Sequence, residues 1–315
     1  PWRDKAEKLD RPHVVRFKLQ PTGQRIGFED LVFGRLEKPD EDLDDFVLLR
    51  SDGIPLYNFG CVVDDHDMQI SHVIRAEEHL PNTPRQIFIF QGLGAPLPIF
   101  AHLPVVAEPG SRVKLSKRKL DKYLKNPEFA ELYQHGRRIA DRLKLEVSPE
   151  TFNPVITDFY RIAGFLPEAI LNYLLLLGWS LDDKTEVLSP AEQIAHFSLE
   201  RVNKAAASFD PKKLVSFQER YMQALSVDER LALTLPFVEQ AGWIPSPASA
   251  ADREKVRGIV AAASDRIKVS GDILDYEDVM AKFDDMMEWL ARTYVHAMNC
   301  IHYAHDHYNY ERLMM

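Results

Sequence analysis

Basic side chains are concentrated in residues 111–125 of a chain whose formal net charge is −9. Lys114 and Lys117 lie three residues apart in this stretch, with Ser116 between them. Two ammonium groups at this spacing, on a loop that begins at Gly110, can close over a polyphosphate, and the serine adds a hydrogen-bond donor. Such charge is most useful where negative charge grows in a transition state, as when a carboxylate attacks the α-phosphate of ATP. The alternative for a basic run is a solvated helix face.

The composition is that of an ordinary globular protein. The chain has 315 residues, of which 45% are hydrophobic and 28% charged, enough for two or three domains with their own cores. Because the net charge is negative, any nucleic-acid contact must come from local basic patches. Cys61 and Cys300 form no zinc-type spacing, so we expect no protein zinc site and a reducing, cytoplasmic compartment. No apolar run approaches the ~18–20 residues of a membrane span, so we expect no membrane contact.

Strand, helix and strand patterns precede the basic stretch. Short β-type runs separated by glycine and proline turns predict strands at 14–19, 45–49, 61–63 and 72–74. Thr83 suits a helix N-cap and Pro84 a first helical position, and this helix should end at Gly92 or Gly94. A further run, 101–106, would complete a parallel βαβ unit. Ligands of such sheets lie beyond the carboxyl ends of the strands, where the basic loop follows.

The pattern becomes helical from about residue 119. A helix is predicted to open at Leu166-Pro167-Glu168 and to close at Gly178. Residues 244–251 are interpreted as a linker. Further helices are predicted near 190–197, 211–224, 227–241 and 252–263. The expected fold class is therefore α/β plus all-α.

A series of motifs occurs in one order along the chain. They are LDDFVLLRSDG at 43–53, PLYNF at 55–59, VVDDHDM at 62–68, HVIRAEEH at 72–79, TPRQ at 83–86, HLP at 102–104, KLSKR at 114–118, GFLPEA at 164–169, LNYL at 171–174 and FDPKKL at 209–214. Together they resemble the bacterial-type glutamyl-tRNA synthetases, which are class I aminoacyl-tRNA synthetases. The resemblance runs from near residue 11 to roughly residue 275.

The resemblance implies a domain order. Residues 1–125 correspond to the C-terminal part of a Rossmann-type catalytic domain, with the end of its acceptor-binding insertion. Residues 126–215 correspond to a helical stem-contact region with an insertion. Residues 119–163 are longer than the family's usual link after the lysine loop, and an inserted helical pair is expected there. Residues 216–276 correspond to the start of a helical anticodon-binding domain. Residues 277–315 look foreign to the family.

The resemblance also implies roles for individual residues. Tyr57 and Arg75 resemble the glutamate-binding tyrosine and arginine, and a guanidinium suits a carboxylate because its planar fork binds both oxygens. The alternative for Arg75 is an internal ion pair with Glu77, Glu78 or Asp64. Glu78 resembles an ATP-contacting acid that acts through the ribose hydroxyls, with a surface carboxylate as the alternative.

The remaining ATP contacts follow from the same resemblance. Val105 and Val106 match positions whose backbone contacts the adenine, with a plain core strand as the alternative. Lys117 resembles the lysine that contacts the ATP phosphates, and Lys114 the first lysine of the motif loop. That loop, the family's version of the KMSKS motif, comprises Lys114, Leu115, Ser116, Lys117 and Arg118.

Three further positions, Cys61, Asp64 and Asp65, lie near the same motifs. Cys61 stands where the family often has a glutamate-contacting asparagine. Asp64 and Asp65, placed after the predicted strand 61–63, could hold a metal ion, but in the family this stretch forms the pocket wall. We expect Mg²⁺ to be held mainly by the ATP phosphates, since it keeps several waters.

The chain departs from the family pattern at both ends. It begins at Pro1 rather than Met, and the family's opening strand and HIGH-type motif are not found in it, which we interpret as a missing N-terminus. We therefore expect that this polypeptide alone does not form glutamyl-adenylate, which ATP–pyrophosphate exchange with the purified chain would test. Residues 279–315 resemble an interior piece of pyruvate formate-lyase, without its glycyl-radical loop or cysteine pair. A junction near Tyr276 is the simplest explanation.

The expected function is that of a glutamate–tRNA ligase. Its partners would be L-glutamate, ATP and glutamate tRNA, and we expect a monomer. The alternatives are a glutaminyl-type or queuosine-tRNA-modifying relative, or a catalytically silent fragment that binds tRNA through basic residues such as Arg138 and Arg142. His302, His305 and His307 could bind a metal, although polar decoration of an amphipathic helix is favoured.

Overall fold

The computed structural model describes residues 12–19, 23, 25–40, 43–283, 285, 289–290, 292–296 and 298. They form two compact units. The first contains the described residues up to Leu115 together with 171–210, and the second contains 116–170 together with the described residues from Pro211 onward. The first is α/β and the second is helical, so the predicted fold class is confirmed. The histidines at 302, 305 and 307 lie outside the described residues.

The first unit is built on a four-stranded sheet. In the described chain the strands are β1 Val15–Arg16, β2 Arg25–Asp30, β3 Gly34–Pro39, β4 Val47–Leu49, β5 His72–Ala76, β6 Ile99–Leu103, β7 Val106–Ala107 and β8 Ala207–Ser208. The sheet has the order β3-β2-β6-β5, with β3 antiparallel to β2 and the other neighbours parallel. β1 pairs with β4, and β7 pairs with β8. The β7–β8 pair explains why 171–210 belongs to this unit.

The helices of the described chain are close to the predicted ones. They are α1 Tyr57–Asp67, α2 Thr83–Leu93, α3 Leu120–Tyr123, α4 Pro127–Arg142, α5 Thr157–Ala163, α6 Pro167–Leu176, α7 Pro190–His196, α8 Pro211–Ala224, α9 Val227–Gln240 and α10 Ala250–Ala263. Ser189, Ser226 and Ser249 each form a capping box with the acid three residues later. Because Ser249 caps α10, the predicted linker 244–251 ends earlier than expected.

The predicted strand at 61–63 is wrong, since these residues lie within α1. Val62 is fully buried in a cluster with Ile89 and Phe90 of α2, and Phe59 packs against the same cluster. A short apolar run cannot distinguish a buried helix from a strand by periodicity alone. Here the spacing from Phe59 to Val62 is the three-residue step of one helix face.

The predicted βαβ unit is confirmed. β5, α2 and β6 follow one another, the two strands are parallel, and Gly94 ends α2 in the left-handed conformation with φ 66°. The prediction that Thr83 is the N-cap is wrong. A 3₁₀ turn over Glu77–Asn82 leads directly into α2, so Thr83 is already helical and its hydroxyl makes other contacts.

Aromatic side chains fill the core of the second unit. The rings of Phe152 and Phe159 have centroids 4.8 Å apart, and both side chains are fully buried. Gly136 of α4 allows this approach, because a Cβ there would lie 2.4 Å from the Phe159 ring. Within the residues that the structure describes, no helix combines the length and the apolar character needed to cross a membrane.

Gly164 provides a test of this packing. It follows α5 with φ 84°, and a Cβ would lie 2.8 Å from the Gly271 nitrogen, from Phe237 and from Ser270. Gly242 has φ 78° but open space around it. Gly242→Ala should therefore cost only the left-handed penalty, about 1 kcal/mol. Gly164→Ala should cost about 1–3 kcal/mol more in the free energy of unfolding, through overpacking.

Urea denaturation of the two variants measures this difference. Equal losses would show that backbone conformation alone, and not close packing, requires glycine at 164.

Candidate active site

Arg75 and His102 face each other across the parallel strands β5 and β6, in the same register. Arg75 is half-buried and donates from Nε to His102 Nε2 at 3.0 Å. It also donates from Nη2 to Thr83 Oγ1 at 2.9 Å. These two donors form one edge of the guanidinium. The three N–H groups that remain belong to Nη1 and Nη2 and lie at its outer end.

Asp30 holds His102 from the opposite side. Its Oδ2 lies 2.6 Å from His102 Nδ1, and both side chains are completely buried. Its Oδ1 accepts from the backbone N–H groups of Val32 and Phe33, at 3.0 and 2.9 Å. Burial raises the pKa of Asp30, but the hydrogen bonds from His102 and the backbone outweigh it, so the net pKa is lowered. Burial lowers the pKa of His102, although Asp30 opposes this.

Tyr57 lies at the first position of α1 and is half-exposed, at 51%. Its ring stacks on His79 with centroids 5.8 Å apart, and its hydroxyl lies 3.3 Å from His79 Nδ1. Burial and the neighbouring Cys61 raise the pKa of Tyr57, while Arg75 opposes them. Burial lowers the pKa of Arg75, and Tyr57, Cys61 and Asp65 oppose it. Tyr57 and Arg75, the two residues predicted to bind glutamate, thus lie close enough to influence each other's ionisation.

Glu78 and Lys114 form an ion pair through Oε2 and Nζ. Both are exposed, and the ammonium group of Lys114 lowers the pKa of the Glu78 carboxyl. The adjacent acid, Glu77, accepts a hydrogen bond at 3.3 Å from the backbone N–H of Val105. The carbonyl oxygen of Val106 accepts from Leu115 at 2.8 Å. The predicted adenine-contacting backbone is therefore engaged with residues of the same unit.

The motif loop begins with a β-bridge and ends in an exposed 3₁₀ turn. Lys114 forms a β-bridge with Ala107, so this part of the loop is fixed to the first unit. In the second unit the Ser116 backbone N–H donates to the Tyr123 hydroxyl at 2.9 Å. Lys117 then begins a 3₁₀ turn, and both Lys117 and Arg118 are exposed.

Several residues of the site were not selected from the sequence. Asp30 was missed altogether, and His79 and His102 were noted only within motifs. Glu77 was named only as an alternative partner of Arg75, and Thr83 only as a helix N-cap and within a motif. A histidine at the end of one strand, paired in register with an arginine near the end of the next, was the available signal for His102. No local signal indicated Asp30, because it lies 72 positions before His102.

Asp65, rather than Asp64, interacts electrostatically with Arg75. Burial raises the pKa of Asp65, and Arg75 opposes this. Both acids lie on α1 rather than after a strand. Among the described residues there is no group of three or more His, Cys, Asp or Glu side chains that could hold a metal ion.

The arginines proposed as phosphate contacts are engaged within the second unit. Arg138 lies 3.1 Å from Asp275, and Arg142 lies 3.4 Å from the same carboxylate. Any tRNA phosphate that binds them would have to share these side chains with Asp275.

Family models match two parts of the chain. A model described as tRNA synthetases class I (E and Q), catalytic domain, matches residues 3–139 and 149–216. This match includes most of the predicted insertion 119–163. A second model, described as pyruvate formate lyase-like, matches residues 255–315 and so begins within α10, before Tyr276.

Relatives of known sequence and structure agree with the first match. The glutamate–tRNA ligase of Moorella thermoacetica is 39% identical over 273 residues, which are 87% of this chain and 49% of that protein. That of Symbiobacterium thermophilum is 36% identical over 293 residues, 92% of this chain and 54% of that protein, so the similarity continues past Tyr276. A crystal structure of a glutamate tRNA ligase from Elizabethkingia meningosepticum in complex with its amino acid has a TM-score of 0.64 and 32% identity, covering 85% of this chain and 48% of that one.

The chain spans about half the length of the curated relatives it matches. Its family-model match covers more than half of its own length, and the motifs, the parallel βαβ unit and the Arg75 cluster lie within that match. This chain therefore belongs to the class I tRNA synthetases of the glutamate and glutamine type.

Proposed function

We propose that this chain is the part of a glutamate–tRNA ligase that binds L-glutamate next to ATP. The observation that carries the proposal is the geometry of Arg75. Two neighbours, His102 and Thr83, hold one edge of its guanidinium, and the half-exposed Tyr57 interacts with the same side chain. An arginine held in this way can bind both oxygens of a carboxylate without losing its own orientation.

The reaction assigned to the whole enzyme is activation of glutamate followed by its transfer. The α-carboxylate of glutamate attacks the α-phosphate of ATP, pyrophosphate leaves, and a terminal ribose hydroxyl of the tRNA then attacks the mixed anhydride. Arg75 and Tyr57 orient glutamate, while Lys114 and Lys117 stabilise the negative charge that develops on the phosphates. Mg²⁺ held by the ATP phosphates would supply additional positive charge.

ATP binding requires an exchange of partners in the first unit. Lys114 and Glu78 neutralise each other in the structure, although both are proposed ATP contacts. Phosphate oxygens can replace the carboxylate as the partner of Lys114, which leaves Glu78 able to accept hydrogen bonds from the ribose hydroxyls. Because both groups are exposed, the ion pair itself contributes little stability and costs little to separate.

The larger assembly is proposed on the family's pattern. The helices over 126–215 would contact the acceptor stem of glutamate tRNA, and those over 216–276 would begin the anticodon-binding region. The protein would act as a monomer in the cytoplasm.

Arg75→Lys should weaken L-glutamate binding by about tenfold to a hundredfold, because an ammonium group cannot form the paired hydrogen bonds of a guanidinium. Isothermal titration calorimetry with the purified chain measures the affinity, and L-glutamine is the ligand control for recognition of the side-chain carboxylate. Arg35→Lys is the matched protein control, since Arg35 is an exposed arginine in β3. Unchanged affinity in Arg75→Lys, or equal binding of glutamine, would contradict this assignment.

Lys114→Ala should weaken ATP binding by about tenfold, through loss of one charge-assisted hydrogen bond to phosphate. Lys125→Ala, an exposed lysine in the same basic stretch, should leave the affinity unchanged. Titration of ATP at low and high salt adds a second measurement, because added salt should weaken ATP binding by the wild-type chain more than ATP binding by Lys114→Ala. Equal losses in both variants would indicate a diffuse effect of the basic stretch.

A further inference from the structure

Two fully buried ionisable groups, Asp30 and His102, have no place in the ligand contacts proposed above. They form one continuous series with Arg75. Asp30 Oδ2 lies 2.6 Å from His102 Nδ1, and Arg75 Nε donates to His102 Nε2 at 3.0 Å. The series connects the buried end of β2, through β6, to the half-buried end of β5.

The donors and acceptors permit only one arrangement of protons on the imidazole. Asp30 is a carboxylate that accepts, so the proton between the two groups must lie on His102 Nδ1. Arg75 can only donate, so His102 Nε2 must carry a lone pair. His102 is therefore the neutral tautomer with its proton on Nδ1.

The charges around His102 favour the same neutral form. Burial lowers the pKa of His102, and the positive charge of Arg75 lowers it further, against the opposing effect of Asp30. His79, on the 3₁₀ turn before α2, also lowers the His102 pKa. A proton added at Nε2 would meet the Nε–H of Arg75 directly.

We propose that Asp30 and His102 are positioning residues that fix the orientation of Arg75 for its carboxylate ligand. Asp30 sets the tautomer, the tautomer gives His102 Nε2 its lone pair, and that lone pair holds Arg75 Nε. Thr83 holds Nη2 on the same edge, and its own hydroxyl lies 3.4 Å from the His79 carbonyl that can accept from it. The N–H groups that remain on Nη1 and Nη2 can then bind the substrate beside the Tyr57 hydroxyl, which also interacts with Arg75.

This inference rests on the proposed function for the identity of the ligand, but the tautomer and the hydrogen bond of Arg75 can be measured without any ligand. Nitrogen-15 NMR of the imidazole reports which ring nitrogen of His102 carries the proton. The exchange of the Arg75 Nε–H with water reports whether that donor is held. Spectra of His102→Gln and Arg75→Lys assign the two signals by their disappearance.

Asp30→Asn is the decisive variant. The amide oxygen can keep the bonds from the backbone N–H groups of Val32, Phe33 and His102, while the amide N–H₂ faces His102 Nδ1, which forces the proton to Nε2. We expect the tautomer to switch, the Arg75 Nε–H to exchange faster, and L-glutamate affinity to fall by about tenfold to a hundredfold. Thr234→Val, which replaces a buried polar residue of α9 in the other unit by an apolar one, is the control for general loss of stability.

A second pair of variants applies if Asp30→Asn does not fold. His102→Gln places an amide oxygen where it can accept from Arg75, whereas His102→Leu cannot accept. Both leave Asp30 without its imidazole partner, so the difference between them isolates the acceptor. His102→Gln should bind L-glutamate more tightly than His102→Leu by about tenfold.

The pH dependence of stability is an independent measurement. A lowered pKa in the folded state means that the unfolded chain takes up the proton first, so the contribution of His102 is complete above its unfolded pKa of 6.5 and is lost as the pH falls below it. Asp30 adds a separate loss below its unfolded pKa of 3.8. His102→Gln should remove the loss of stability below pH 6.5 and should reduce the loss below pH 3.8, because Asp30 no longer accepts from an imidazole.

The outcomes separate this inference from the proposed function. If wild-type His102 carries its proton on Nδ1 and Arg75 Nε–H is protected but glutamate does not bind, the positioning of Arg75 stands and the proposed ligand is wrong. If glutamate binds and Asp30→Asn changes neither the tautomer nor the affinity, the inference is overturned and the proposed function stands. Equal affinity of His102→Gln and His102→Leu would also overturn it.

Discussion

The parallel pairing of β5 with β6 is the constraint on which the candidate site depends. Residues paired in register on neighbouring strands point to the same face of a sheet, so the Arg75–His102 pairing brings their side chains together. β2 pairs with β6 at one position only, Asp30 with Phe100, yet this is sufficient to bring the Asp30 carboxylate to the His102 backbone and ring. A shift of one residue in the pairing of β5 with β6 would place Arg75 and His102 on opposite faces of the sheet.

At the buried end of this site, Asp30 and His102 have hydrogen-bond partners within the protein, whereas at the outer end Tyr57 is exposed to solvent. Asp30 is fully buried and accepts from three backbone N–H groups as well as from the His102 ring, which offsets the cost of its burial. Toward the surface, Arg75 keeps donors at its outer edge, and Tyr57 is half-exposed. The buried hydrogen bonds therefore hold the orientation of Arg75, whereas the groups at the outer end lie nearer to solvent. This order matches what precise binding of a small carboxylate requires.

The sequence predicted this arrangement in part, and the reasons differ by residue. The βαβ unit and its parallel strands followed from Pro84, Gly94 and the apolar runs, since helix ends and strand lengths are local properties. The resemblance of their motifs to the family selected Tyr57 and Arg75 as candidates, and their role in binding glutamate stays a prediction. Residues 61–63 were wrongly predicted as a strand because three consecutive apolar residues in a partly buried helix have the same pattern as a short strand.

Two further differences came from long-range structure. Glu77 and Glu78 are adjacent and chemically identical, and only the fold directs one to the Val105 amide and the other to Lys114. Asp30 was not selected because its partner is 72 positions away and depends on strand order.

The packing of the second unit includes the residues on both sides of Tyr276. Asp272 accepts from His135, and the Leu274 carbonyl accepts from Arg142, so the residues before Tyr276 are bound to α4. Met280 is still buried.

Phe283 extends this packing further. Its ring lies 5.7 Å from the Lys255 ammonium and beside Gly258 in α10. Beyond it, the described apolar side chains Trp289 and Tyr294 are 63% and 67% exposed. The second family match already begins at 255, within the helix that Phe283 contacts. Because buried contacts persist to Phe283 and large apolar side chains are exposed after it, packing continues across Tyr276, and its physical limit in the described chain lies after Phe283.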